Sequence, residues 1–118
     1  MAVSQILDIT EDYNLGKEAT IEIGGWDYAI VQLVNPSAAV TFKTSNDANA
    51  ITGASDGSAA SALNFTDVQG TNLATGSGAV SLNATGLMRF GYIGKFLRLD
   101  GAGTAVCDKV LVRLFKIN

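Results

Sequence analysis

The sequence contains no histidine and only one cysteine, Cys107. The lack of histidine excludes Ser-His-Asp and Cys-His nucleophile arrangements and His-ligated zinc, and one cysteine cannot form an internal disulfide. A lone cysteine is typical of a reducing compartment, so we expect the chain to fold in a cytoplasm. Because most residue types that carry catalysis are scarce, we expect a protein that is not an enzyme.

Charged residues are also scarce, at 16% of the 118 residues against 47% apolar ones. A charge-driven disordered chain is therefore excluded. The net charge of −3 argues against direct nucleic-acid binding, which depends on a basic surface. No apolar run approaches the roughly 20 residues of a membrane span, and no basic segment precedes an apolar one near residue 1. We expect one domain, residues 1–118, with no membrane segment and no signal peptide.

The few charges are distributed unevenly along the chain. Residues 1–59 carry eight acidic and two basic side chains, whereas residues 60–118 carry three acidic and six basic ones. This asymmetry could orient the molecule on a partner or set copies head to tail. Folding could equally mix the two halves and cancel the difference.

Apolar and polar residues alternate with a period of two along much of the chain, which predicts strands rather than helices. Residues 12–16 have the composition of a turn. In the second predicted strand, Glu18, Thr20 and Glu22 share the side that we expect to face solvent. The predicted strands are residues 3–10, 18–23, 26–34, 39–45, 65–69, 79–83, 87–92, 95–100 and 105–117.

Two predicted strands, residues 26–34 and the last one, are apolar on both faces. Such strands are central in their sheet or have one face against another subunit. Self-association would cover the second apolar face of these strands, so we expect a homo-oligomer. Many short strands without a clear helix predict an all-β fold, an antiparallel β-sandwich that is jelly-roll-like, with an Ig-like sandwich as the alternative.

A region rich in small residues, at about residues 45–86, interrupts the strands. Of these 42 residues, 31 are Gly, Ala, Ser, Thr or Asn, and no lysine or arginine lies between Lys43 and Arg89. Besides the two short strands already named, residues 58–63 could form one helical turn. Scattered apolar residues such as Leu73 and Leu82 are spaced as anchors to the core.

No motif for a metal, a cofactor or a reactive thiol emerges. The oxygen-rich segment from Asp47 fails the calcium-loop pattern, because Ser58 stands where a bidentate glutamate is needed. The glycine-rich stretches lack the Lys-Ser/Thr of a phosphate-binding loop. Asp108 beside Cys107 would raise the thiol pKa and so lower its reactivity. We therefore expect no catalytic residue, no metal and no cofactor.

Aromatic and basic residues are interleaved near residues 89–98. Arg89, Lys95 and Arg98 alternate with aromatic residues, a mixture that could line a binding platform or simply place bases on the rim of a sheet above core aromatics. We predict that these three bases form a polar rim facing an acidic partner. The aromatic residues concerned are Trp26, Tyr28, Phe42, Phe90, Tyr92 and Phe96.

The chain from Trp26 to Asn118 resembles small virion proteins of tailed bacteriophages, of the capsid decoration (cement) or head-fibre type. The stretches that carry the resemblance are WDYAIVQLVNPSAAVTFKTSNDANAITG, NFTDVQGTNLATG, GLMRFGYIGKFLRLDG and KVLVRLFKIN. It implies a β-sandwich, often trimeric, that clamps neighbouring subunits of the major capsid protein on the virion surface after folding in the host cytoplasm. The alternative is a carbohydrate-binding or adhesive β-sandwich module, which includes attachment proteins of tails or head fibres.

Overall fold

The computed structural model describes residues 2–46, 64–91 and 93–117. These residues form eleven strands and one short helix. In chain order they are β1 (Ala2–Asp8), α1 (Thr10–Gly16), β2 (Glu18–Glu22), β3 (Tyr28–Val34), β4 (Val40–Ser45), β5 (Thr66–Asp67), β6 (Gly70–Asn72), β7 (Gly78–Ala79), β8 (Ser81–Leu82), β9 (Gly86–Gly91), β10 (Phe96–Asp100) and β11 (Lys109–Ile117).

The strands form two antiparallel sheets. The larger sheet has the order β1-β11-β3-β9-β6-β7, and the smaller has the order β2-β10-β4-β5, with β8 also paired to β4. The first four strands alternate between the sheets, and each pairs with a strand from the second part of the chain: β1 with β11, β2 with β10, β3 with β9, and β4 with β8. This arrangement is a jelly roll. It confirms the all-β sandwich and does not fit the Ig-like order, in which the first two strands share a sheet.

The core lies between the sheets and is built by the period-two pattern. Along β3, Ala29, Val31 and Leu33 are buried while the alternate residues are half-buried. Along β11 the same alternation buries Val110, Val112 and Leu114. Residues of the smaller sheet close the core from the other side, among them Phe42, Leu97 and Leu99.

Residues 12–16 are not the turn that the sequence predicts, because they belong to α1. The buried Tyr13 anchors this helix, and its hydroxyl donates a hydrogen bond to the carbonyl oxygen of Ala105 at 2.9 Å. Lys17 ends the helix in the left-handed conformation, with φ of 58°. A seven-residue helix is marginal in isolation, so contacts distant in sequence decide its formation.

The described part of the small-residue region, residues 64–86, folds into four very short strands, β5 to β8. β5 lies within the predicted strand 65–69. β7 overlaps the first residue of the predicted strand 79–83, and β8 lies inside that strand. No strand was predicted where β6 forms. Leu82 is buried, as an anchor should be, but Leu73 is 39% exposed. The predicted helical turn at 58–63 lies outside the described residues, as does Tyr92. Within the described ranges, no helix is long and apolar enough to cross a bilayer.

Gly70 in β6 lies directly against the ring of Phe90. A Cβ atom at residue 70 would be 2.5 Å from a carbon of that ring, which packs on Phe42 with a centroid distance of 5.0 Å. We expect Gly70→Ala to lower the free energy of unfolding by about 1–3 kcal/mol, since the ring has little room to move. At Gly86 the nearest atoms would be 3.5 Å away, so Gly86→Ala should stay within about 1 kcal/mol of the parent in urea denaturation. Equal effects of the two substitutions would contradict this packing.

Candidate interaction surface

The side of the larger sheet that faces away from the core carries three rows of side chains, which we call the outer face. Antiparallel register places directly paired residues on the same side of a sheet. The rows follow from the register of β1, β11, β3, β9 and β6. They are Asp8, Leu111, Gln32 and Leu87; then Ile6, Arg113, Ile30, Arg89 and Thr71; then Ser4, Phe115, Tyr28 and Gly91.

The outer face combines polar side chains with six apolar or aromatic ones among its thirteen residues. Ile6 is 66% exposed and Leu87 is 38% exposed, and the other apolar and aromatic residues of the three rows are half-buried. Two depressions of about 600 and 310 Å³ indent the face and meet at Ile30. A contiguous exposed apolar patch of this kind marks an interaction site more often than plain surface.

Two arginines project from the middle row. The guanidinium of Arg113 lies 4.5 Å from the ring centroid of Phe115, and its Nη2 donates to Ser4 Oγ at 3.3 Å. Within the part of the chain that the structure describes, neither Arg113 nor Arg89 forms an ion pair. The face thus combines apolar side chains with two positive charges that form no ion pair with a carboxylate of the described residues.

An acidic corner borders the outer face where β1 ends. Asp8 forms an ion pair with Lys109 at 3.8 Å, and its Oδ1 accepts hydrogen bonds from the Thr10 hydroxyl and amide at 2.6 and 3.0 Å. The hydrogen bonds from Thr10 and, to a lesser extent, the charge of Lys109 hold the pKa of Asp8 below its usual value. Glu11 and Asp12 of α1 line a depression of about 450 Å³ with these residues.

The larger depression is shaped by the pairing of Tyr28 with Gly91. A Cβ atom at residue 91 would be 2.9 Å from a carbon of the Tyr28 ring, so the glycine lets the ring lie on β9. Phe115 of β11 is directly paired with Tyr28 of β3. The remaining lining residues are Ile30, Gln69, Thr71 and Arg89.

The structure does not bring the three predicted rim residues together. Arg89 lies on the outer face. Arg98 belongs to β10 of the smaller sheet, and Lys95 lies in the turn just before that strand. Lys95 is exposed, 4.0 Å from Glu22. Arg98 is only 3% exposed, so it does not lie on a rim. The prediction failed for Arg98 because β9 and β10 are adjacent in sequence but enter different sheets. The sequence analysis also did not identify Arg113, which lies on the outer face beside Ile30.

Arg98 instead forms a buried ion pair with Glu18. Its Nη2 donates to Glu18 Oε2, and its guanidinium carbon lies 5.4 Å from the Phe65 ring centroid. Among the described residues, Nη1 has no hydrogen-bond partner. Burial lowers the pKa of Arg98, and the nearby Asp100 opposes that shift. The prediction that Glu18 and Thr20 face solvent is therefore wrong, since both are buried and only Glu22 is exposed.

Most of the aromatic residues serve the core rather than a platform. Among the described members of the predicted platform, Phe42, Phe90 and Phe96 are buried, Trp26 is half-buried, and Tyr28 lies on the outer face. Cys107 is buried too, and desolvation, followed by the charge of Asp108, raises the pKa of its thiol to about 11. Within the described ranges, no group of three acidic or cysteine side chains could hold a metal ion, and the segment from Asp47 lies outside those ranges.

Folding also mixes the two charge halves of the sequence. The pairs Asp8–Lys109, Glu18–Arg98 and Glu22–Lys95 each join an acidic residue of the first half to a basic one of the second. Much of the asymmetry is thus cancelled inside the molecule.

No family model matches this chain, and no curated protein matches it significantly. Among solved structures, the crystal structure of the SPBc2 prophage-derived protein YomS is similar, with a TM-score of 0.61. The two chains are 12% identical, and the alignment covers 98% of this chain and 93% of that one. They share a fold.

Removing one partner of the buried pair Glu18–Arg98 should destabilise the protein strongly, whereas replacing both partners with apolar residues should destabilise it little. We expect Glu18→Ala to lower the free energy of unfolding by about 3–5 kcal/mol, because it leaves a buried guanidinium without its carboxylate. Removing both charges with Glu18→Leu and Arg98→Met should recover most of that loss. As a control, Glu22→Ala removes the exposed partner of Lys95 and should cost at most about 1 kcal/mol. Urea denaturation of the three variants measures this, and a Glu18→Ala loss no larger than the control would refute it.

Proposed function

We propose that this protein is a structural component of a bacteriophage particle, a capsid decoration or cement protein that clamps subunits of the major capsid protein as an oligomer. The observation that carries the proposal is the apolar outer face with its two unbalanced arginines. Two likenesses support the phage setting: the sequence resembles small virion proteins, and the similar solved structure is described as prophage-derived.

The outer face suits a role in assembly. Interfaces are depleted in most charged residues but enriched in aromatic residues and arginine. The outer face has this composition, with Tyr28 and Phe115 beside Arg89 and Arg113. The proposal places the protein on the virion surface as a trimer, the number that the resemblance implies. In this role, shape and apolar area contribute more to binding than any single ion pair.

Cosedimentation with capsids that lack the protein tests this role. We expect the parent chain to bind such capsids and to raise the internal pressure or temperature at which they open. Leu87→Glu places a charge in the apolar face and should weaken retention at least tenfold. Val80→Glu alters a residue of similar exposure, 42% against 38%, between β7 and β8, and should bind as the parent does.

Circular dichroism of both variants establishes that they fold. A folded parent chain that neither sediments with capsids nor alters their stability would refute the decoration role. Equal loss of binding in both variants would refute the assignment of the outer face.

A carbohydrate-binding or adhesive module is the second candidate, and the larger depression favours it. Its volume is about 600 Å³, and it combines two aromatic rings, Tyr28 and Phe115, with polar groups of Gln69, Thr71 and Arg89. Aromatic faces and a few directed polar groups are the usual composition of small-ligand sites.

A glycan array followed by calorimetry tests this candidate. If it is correct, the parent chain binds a defined glycan, Tyr28→Ala abolishes binding, and Leu87→Glu, which does not line this depression, leaves binding unchanged. Absence of any glycan that binds in a Tyr28-dependent way would rule it out.

A further inference from the structure

The chemistry of the outer face restricts what can cover it. A matching surface must bring apolar side chains to the area around Ile6, Leu87 and Leu111 and a carboxylate to Arg113 or Arg89. Two outer faces packed directly on each other would set these arginines in one shared interface, where like charges oppose binding. The occupant is therefore acidic and apolar, and it is not a second outer face.

The exposed side of α1 has that chemistry. Leu15 is 80% exposed, more than any other large apolar residue in the described ranges. Glu11 is exposed and lies four positions earlier, so the two side chains share one side of the helix. α1 thus presents one leucine and a carboxylate outward.

α1 is held rigidly enough to serve as a docking element. On its inner side Tyr13 is buried. Asn14 fixes the helix through two hydrogen bonds to Cys107, with Nδ2 donating to the carbonyl oxygen at 2.8 Å and Oδ1 accepting from the amide at 2.9 Å. An element that is already ordered loses less conformational freedom on binding.

We propose that α1 of one copy docks on the outer face of a second copy. Leu15 enters the depression of about 310 Å³ lined by Ile6, Leu73, Leu87 and Leu111, and Glu11 pairs with Arg113, which lines the same depression. This inference rests on the proposed function, because it names the partner that covers the same face: another copy of this chain.

The contact joins two different surfaces, so it is heterologous. In each copy α1 borders the acidic corner beside the outer face and leaves that face open. Every copy can therefore dock its own α1 on one neighbour and accept the α1 of another. Closure of such contacts by a three-fold rotation produces a trimeric ring in which the smaller depression of each copy receives one α1.

Sedimentation velocity of the purified chain, without capsids, tests the contact. We expect the parent to sediment as a trimer of 12.2 kDa chains. Leu15→Ser, Glu11→Lys and Arg113→Glu should each weaken association at least tenfold. Combining Glu11→Lys with Arg113→Glu restores opposite charges and should return association to within about threefold of the parent, a coupling that loss of folding cannot imitate.

The matched control reverses charges on the smaller sheet. Glu22 and Lys95 are exposed and form their own pair, and Glu22→Lys or Lys95→Glu should leave association unchanged. A monomeric parent, insensitivity to Leu15→Ser, failure of the double variant to reassociate, or equal loss in the controls would each overturn the proposal. If the parent is a monomer that binds capsids and loses this binding on Leu87→Glu, only this inference is overturned. If the parent is a trimer that does not bind capsids, only the decoration role is overturned.

Discussion

The position of β11 between β1 and β3 constrains the rest of the molecule. β11 is hydrogen-bonded along nearly its whole length to both neighbours, so its register fixes three strands at once. The same register sends Val110, Val112 and Leu114 into the core and Leu111, Arg113 and Phe115 to the outer face. A slip of one residue would exchange the two sets, bury Arg113 and expose the core. Core and outer face are therefore two consequences of one pairing.

The strands could be predicted from the sequence because each is a local pattern. Apolar alternation located β3, β4, β9, β10 and β11 to within a few residues at most boundaries. Both sides of β3 and β11 are apolar in sequence, and the structure places one side of each strand in the core and the other on the outer face. The helix α1 escaped prediction, since Tyr13 stabilises it through Ala105, 92 positions away.

The candidate site could be predicted only in part, because the sequence does not show which strands share a sheet. Arg89, Lys95 and Arg98 are neighbours along the chain, yet the crossover between β9 and β10 places Arg89 in the larger sheet and Arg98 in the smaller one. Conversely, Arg89 and Arg113 are distant in sequence but lie in one row, on either side of Ile30. Glu18 was misplaced for a similar reason: alternation identified its side of β2 but not the arginine on β10 that buries it.

The pairing of early strands with late ones also has a consequence for the order of events during synthesis. β1 opposes β11, with Ala2 against Ile117, and β2 opposes β10. While the ribosome is still extending the chain, the first strands have no partner, and the larger sheet cannot form before residues 109–117 emerge. Non-local pairing of this kind slows folding and leaves apolar strands open to aggregation. A nascent copy therefore cannot present a complete outer face until β11 has emerged and paired with both β1 and β3.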